Sequence, residues 1–192
     1  MASADPITEF QDAAERARSR GVDTIPAALA TVGSDGRPSL RIVLVRNVDD
    51  RGFIFHTNYN SRKGRELAGN PCAALCFHWP TLDEQIRVEG TVEPLPAAES
   101  DAYFAERPRG SQIGAWASLQ SAELPSRETL ETRYRECEAQ FEGLVVPRPS
   151  FWGGFRVAPG VVEFWYGRPD RLHDRVVYTR DGDRWRLGRL YP

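Results

Sequence analysis

Short apolar runs, each closed by a turn signal, dominate residues 27–93 and return after residue 150. Residues 27–32 end at Gly33-Ser34-Asp35-Gly36. A second run through Leu40, Ile42 and Leu44 ends at Asp49-Asp50-Arg51-Gly52, and residues 53–57 follow. Glycine and aspartate at such points supply the left-handed or side-chain-bonded backbone that tight turns need. Residues 72–79 and 85–92 continue the series, as do 151–157, 161–166, 175–179 and 185–190. Asp181-Gly182 between the last two is a strong hairpin signal. Strands joined this tightly pair antiparallel.

Helical spacing is confined to four places. Asp5-Pro6 reads as a cap followed by a first-turn proline, with Ile7, Phe10, Ala14 and Ala17 on one face up to Gly21. Asn60 or Ser61 caps a short helix through Leu67. Pro96 opens another through about Glu106, and Ser126 caps a fourth carrying Leu130, Tyr134, Cys137 and Phe141. The expected fold class is therefore mainly β with helical additions (α+β), an antiparallel barrel closed or nearly closed. The 192 residues suit one domain, with a helix and arm over 1–22 and the barrel with inserted helices over 23–192. No βαβ rhythm and no G-x-G-x-x-G motif occur, which argues against a dinucleotide fold.

Composition excludes several functions. Lys+Arg 25 against Asp+Glu 27 leaves no basic field for nucleic acid. No apolar run approaches a membrane span, and MASADPITEF lacks a signal-peptide pattern, so the cytoplasm is expected. Cys72, Cys76 and Cys137 form no C-x-x-C pair, which suggests neither a metal site nor a redox motif. Lys63 is the sole lysine, and every other basic residue is arginine. Arginine is the better fork for phosphate, but a GC-rich genome gives the same bias, so positions must decide.

Three positions stand out. Arg171, His173 and Arg175 alternate; on a strand they would share one face, as an anion receptor or a solvated surface. Ser61-Arg62-Lys63 opens a helix, where N–H groups and cations suit a phosphate or simply cap the helix. Arg41 and Arg46 bracket an apolar strand at odd spacing, so they point to opposite faces and either meet a ligand or flank the strand ends. Gly153-Gly154 allows close backbone approach or a bulge. No Ser-His-Asp or paired-carboxylate set is evident, so in an enzyme a cofactor would carry the reactivity.

Longer blocks add to this. Arg41-Ile-Val-Leu-Val-Arg46, Thr57-Asn58 with Ser61-Arg62-Lys63, Tyr103-Phe104 with Arg107-Pro108-Arg109, and Ser111-Gln-Ile-Gly-Ala-Trp116 occur in order. Gln120-Ser121, Pro149-Ser-Phe-Trp-Gly-Gly-Phe-Arg156, Glu163-Phe-Trp165, Arg171-Leu-His-Asp-Arg175 and Arg189-Leu-Tyr-Pro192 follow. Together they resemble the pyridoxine/pyridoxamine 5′-phosphate oxidase family over nearly the whole chain.

The resemblance implies a split-barrel homodimer with FMN at the interface. It implies oxidation of pyridoxine or pyridoxamine 5′-phosphate to pyridoxal 5′-phosphate, with O₂ as acceptor. By the same likeness, Arg41 with Ile42, Val43 and Leu44, then His56, Thr57, Ser61, Arg62 and Lys63 would hold FMN. Gln85, Gln120, Ser121, Trp165 and Arg175 would complete that site. Arg46, Tyr103, Arg107 and Ser111 would hold the substrate phosphate, and Arg171 and His173 would flank its reacting side as the catalytic pair. The family usually has lysine at the place of Arg46 and commonly tyrosine at that of His56. Two other readings remain open at this point: a flavin oxidase for another substrate, such as a phenazine precursor, and a non-catalytic FMN- or pyridoxal phosphate-binding protein.

Overall fold

A computed structural model describes residues 5–192; residues 1–4, part of the expected N-terminal arm, lie outside it. The chain opens with α1 (Pro6–Ser19), where the Asp5 carboxylate accepts from the Thr8 N–H at 2.9 Å. Strands β1 (Pro26–Val32), β2 (Pro38–Asp49) and β3 (Gly52–Asn58) come next, then α2 (Arg62–Gly69), β4 (Cys72–Trp79) and β5 (Glu84–Pro94). Helices α3 (Ala97–Ala105), α4 (Arg109–Ala117) and α5 (Arg127–Gln140) form an excursion. The chain returns as β6 (Trp152–Tyr166), β7 (Asp174–Asp181) and β8 (Arg184–Arg189).

The sheet order is β3-β2-β1-β4-β5-β6, and a β3–β6 pairing closes these six strands into a barrel. Every pairing is antiparallel, and β7 and β8 extend the sheet from β6 beyond the barrel. Alternation sets the two faces. Ala27, Leu29, Val43 and Val45 point inward, while Leu40, Ile42 and Leu44 remain 70%, 65% and 47% exposed on the outer face of β2. Phe10 of α1 packs into one end of the barrel, its ring 4.9 Å from that of Phe53 and 4.8 Å from that of Phe77. A second cluster of Phe104, Ile113, Phe141, Val146 and Trp152 fastens α3–α5 to the start of β6.

Two expectations need correction. The runs 151–157 and 161–166 are one strand, β6, not two. Its first part pairs with β3 up to Val157 and its last part with β7 from Val161, so Ala158-Pro159-Gly160 lacks a partner on that flank. Proline is tolerated there because no ladder bond is lost on that flank. β5 shifts register opposite, between Glu89 and Gly90, where a side chain on Gly90 would collide with the Ala158 carbonyl. The second correction is α4, which sequence reading left unassigned. It has no side-chain cap at Pro108 and contains Gly110 and Gly114, so the usual start and propensity signals are missing. Packing of Ile113 and Ala117 holds it in place. Among the described residues no helix is long and apolar enough to cross a membrane.

Candidate active site

The outer face of β2 and the α3–α4 corner enclose a cleft of about 760 Å³. Ile42, Val43, Leu44 and Arg46 of β2 line it, with His56 and Thr57 of β3 and Lys63 of α2. Tyr103, Glu106, Arg107, Pro108, Ser111, Gln120 and Trp152 complete the wall. Arg41 lies in phase with the inward Val43 and Val45, whereas Arg46 lies in phase with the exposed residues of β2 and lines the cleft. The two arginines therefore do face opposite ways, and a register shift between Val45 and Asn47 places Arg46 at a bulge.

One end of the cleft is built to receive an anion. The Arg107 guanidinium lies 4.5 Å from the Trp152 ring centroid, and its buried Nη1 has no hydrogen-bond partner. Burial, and beyond it the nearby positive charge of Arg46, lowers the Arg107 pKa, while Tyr103 acts to raise it. Glu106 also lines the cleft, but among the described residues neither Arg46 nor Arg107 is ion-paired with a carboxylate, and two such cations held close together suit a ligand anion. His56 stacks on Tyr103 at 3.8 Å and on Trp152 at 5.4 Å between centroids. Its side chain lies against Gly154, where a Cβ would come within 3.0 Å of His56 Nε2. Burial, and then the charge of Arg107, pushes the His56 pKa down to about 4, so the ring is neutral near neutral pH.

Beside the cleft, Ser39, Arg41, Arg62, Lys63 and Ser121 line a smaller recess. Ser61 caps α2 by accepting from the Gly64 N–H at 3.3 Å, which brings Arg62 and Lys63 to the helix start. Lys63 Nζ donates to Gln120 Oε1 at 2.9 Å, Thr57 Oγ1 at 3.1 Å and Ser61 Oγ at 3.4 Å. Burial first, then Arg41, lowers the Lys63 pKa to about 8, with Glu66 opposing. Ser121 holds φ at +72°, a costly conformation for serine that often marks a functional loop. The chemistry of this donor set, hydroxyls and cations at a helix N-terminus, fits a phosphate.

A second group stands apart: none of Gln85, Trp165, Arg171, His173 and Arg175 lines the cleft. Gln85, Trp165 and Arg175 are cross-strand partners on β5, β6 and β7. Arg175 donates from Nε and Nη2 to the buried Glu163 carboxylate at 2.6 and 3.1 Å. Arg171, His173 and Arg175 would share one face only on a strand, and that condition is not met, because β7 begins at Asp174. Asp170 and Arg171 have φ of +58° and +60°, which turns the chain and leaves Arg171 exposed before the strand. His173 packs 4.5 Å from the Trp165 ring, and its Nδ1 accepts from the Arg168 N–H at 3.1 Å. A neutral His173 ring thus carries its proton on Nε2.

Sequence reasoning missed the carboxylates behind these cations. Glu66 Oε1 accepts from Arg62 Nε at 2.8 Å, and Oε2 accepts from Arg41 Nη2 at 3.2 Å. Thr31 and Ser39 hydroxyls donate to the same Oε2 at 2.5 and 2.6 Å. Burial alone would raise the Glu66 pKa, but these donors hold it at about 2. The Arg62 to Glu66 spacing, one helical turn, was a usable signal.

Residues 17–141 match the family described as Pyridoxamine 5′-phosphate oxidase, and residues 152–192 match Pyridoxine 5′-phosphate oxidase C-terminal dimerisation region. The chain is 58% identical over its whole length to the pyridoxine/pyridoxamine 5′-phosphate oxidase of Anaeromyxobacter dehalogenans, covering 97% of that protein. It is 54% identical to that of Myxococcus xanthus strain DK1622, covering 94%. Among solved structures, PhzG of Burkholderia lata 383 in complex with tetrahydrophenazine-1-carboxylic acid superposes with TM-score 0.94 at 38% identity. That match covers 99% of this chain and 94% of the other.

Proposed function

The chain belongs to the pyridoxamine 5′-phosphate oxidase family of FMN-dependent oxidoreductases, and on that premise we propose that it oxidises the 4′ carbon of pyridoxamine or pyridoxine 5′-phosphate. The alcohol plus O₂ gives pyridoxal 5′-phosphate and H₂O₂. The amine plus O₂ and water gives the same two products and ammonia. The observation that carries this reading is the unpaired, half-buried Arg107 beside Arg46 in the cleft. It suits a substrate that carries an anion away from its reacting carbon.

Bound FMN supplies the two-electron acceptor for that carbon. The donors of the smaller recess, Arg62 foremost with Lys63, Arg41 and Ser121, would hold its phosphate. His56, Thr57 and Gln120 line the adjoining cleft, with Ile42, Val43 and Leu44 as the apolar wall, and the buried Ser61 caps α2 behind them. Arg46, Tyr103, Arg107 and Ser111 would take the substrate phosphate and so orient the 4′ carbon.

The chain is a homodimer through the dimerisation region matched at 152–192. Trp165, Arg171, His173 and Arg175 all belong to that segment and stand apart from their own chain's cleft. We place them, with Gln85, at the cleft of the second copy, where FMN would lie between subunits. The exposed Leu40, Ile42 and Leu44 support this, since an apolar row of that kind is normally covered. Arg171 and His173 Nε2–H would then donate toward the substrate. Residues 1–192 would act as one domain, because β6 of the second matched segment closes the barrel against β3 of the first. Three unpaired cysteines suit a reducing cytoplasm.

The test is steady-state H₂O₂ and pyridoxal 5′-phosphate production from pyridoxamine 5′-phosphate compared with unphosphorylated pyridoxamine. Arg107→Ala is expected to raise KM for the phosphorylated amine by about tenfold to a hundredfold, the loss of one charge-assisted contact, with a smaller change in kcat. An unchanged KM would remove Arg107 from the substrate site. The likeness to PhzG favours one other reading, an oxidase for a tricyclic carboxylate. Turnover of such a compound in preference to the phosphate ester would establish it.

A further inference from the structure

Arg41 has its donors largely committed inside the protein. Nη1 donates to the Leu29 carbonyl at 3.2 Å and to Thr31 Oγ1 at 2.5 Å, and Nη2 donates to Ser39 Oγ and to Glu66 Oε2. The Thr31 and Ser39 hydroxyls in turn give their protons to Glu66. A hydroxyl has one proton, so donating it to the carboxylate turns its lone pairs toward Arg41. Glu66 thereby fixes the direction of every link in the chain. Its other oxygen takes Arg62 Nε, while the Arg62 side chain is still 61% exposed and, among the described residues, its terminal nitrogens are uncommitted. The Glu66 side chain is only 8% exposed and does not line the recess that Arg41 and Arg62 share.

We propose that Glu66 is a positioning residue for the flavin phosphate: from beneath the recess it locks Arg41 and aims the free end of Arg62 at the anion. The physical case is a balance of two opposed effects. A carboxylate near a phosphate repels it, which would weaken binding. Preorganisation works the other way, because an arginine already held in one rotamer loses less entropy when it binds. Two guanidinium groups close to Glu66 screen its charge, so the ordering effect wins. The proposal rests on the assignment of this recess to the FMN phosphate.

The experiment compares FMN with riboflavin, which has the same ring system and no phosphate, on full-length dimer stripped of flavin and titrated by fluorescence quenching. Glu66→Gln is expected to weaken FMN about tenfold, the loss of ordering on one charge-assisted contact, and to leave riboflavin within about twofold. Thr31→Val, isosteric and away from the recess wall, should shift FMN in the same direction by a smaller factor. It carries the test alone if Glu66→Gln does not fold. Tighter FMN binding in Glu66→Gln would mean that repulsion dominates and would overturn the proposal. Equal weakening of both flavins would overturn it too, since that marks general damage. Arg62→Ala separates the two levels. If it leaves the FMN preference over riboflavin intact, the phosphate lies elsewhere and the recess assignment itself fails. If Arg62→Ala abolishes the preference while Glu66→Gln and Thr31→Val leave it unchanged, only the role of Glu66 fails.

Discussion

Replacing Arg62 and Lys63 together by alanine is expected to raise the FMN dissociation constant by roughly 30- to 1,000-fold, about 2–4 kcal/mol. Arg62 brings uncommitted donors, and Lys63 brings an ammonium at the start of α2. The barrel should survive, because neither side chain is part of the core. The same site sets a pH dependence. In the flavin-free protein the Lys63 pKa is lowered to about 8, mainly by burial. A bound phosphate favours the charged ammonium, so above that pH binding must take up a proton. The Lys63 contribution to FMN affinity is therefore full below about pH 8 and lost as the pH rises further, and the Lys63→Met variant should lose this slope. Flavin fluorescence titrations across the pH range measure both effects. An affinity that stays flat through this range in the unmodified protein would contradict the role given to Lys63.

The second large effect belongs to Arg171 and His173. Their joint replacement by alanine is expected to lower kcat by about tenfold or more, equivalent to ~1.4 kcal/mol of transition-state stabilisation, with FMN occupancy unchanged. Their separation from the cleft makes a sharper expectation possible. A hybrid dimer of the Arg107→Ala chain with the Arg171→Ala/His173→Ala chain contains one intact site if the two groups meet across the interface. Co-expressed and purified with two tags, at low substrate, the hybrid should recover up to about half of the unmodified activity per dimer. If each chain completes its own site, both sites of the hybrid stay impaired and no recovery occurs.

Much of this was legible in the sequence because turn chemistry and strand alternation are local. The segments 72–79 and 53–57 lie within strands that begin or end within one residue of those positions, and Ser61 caps α2 as expected. The odd spacing of Arg41 and Arg46 correctly placed them on opposite faces. What failed was tertiary in origin. Pro159 reads as a strand break, yet it sits where β6 changes partners and costs nothing on that flank. Helix α4 has neither a side-chain cap nor a favourable composition and exists because Ile113 and Ala117 are buried. Alternation of Arg171 with Arg175 assumed an extended backbone that positive φ at Asp170 and Arg171 denies.

Position alone suggested Ser61-Arg62-Lys63 as a phosphate site, but the full set of site residues was legible only through family resemblance, which could not say which ones a single chain brings together. Helical spacing could suggest the Arg62–Glu66 pair, but periodicity cannot reveal that Glu66 also joins Thr31, Ser39 and Arg41, which lie on two separate strands. Nor can it reveal that Arg107 rests on Trp152 with a buried nitrogen unpaired. Such contacts depend on the closure of the barrel and on where α3 and α4 land against it.

On the proposed function, a phosphate held at Arg46 and Arg107 delivers a reducing carbon to FMN. Anaerobic titration of the flavin-loaded dimer measures this without dependence on the later reaction with O₂. Pyridoxamine 5′-phosphate is predicted to bleach the oxidised flavin absorbance completely, with pyridoxal 5′-phosphate formed in proportion and the colour restored by air. Unphosphorylated pyridoxamine at the same concentration is predicted to leave it yellow. A flavin that stays oxidised with both the amine and the alcohol phosphate ester, or that bleaches equally well without the phosphate, would contradict the account.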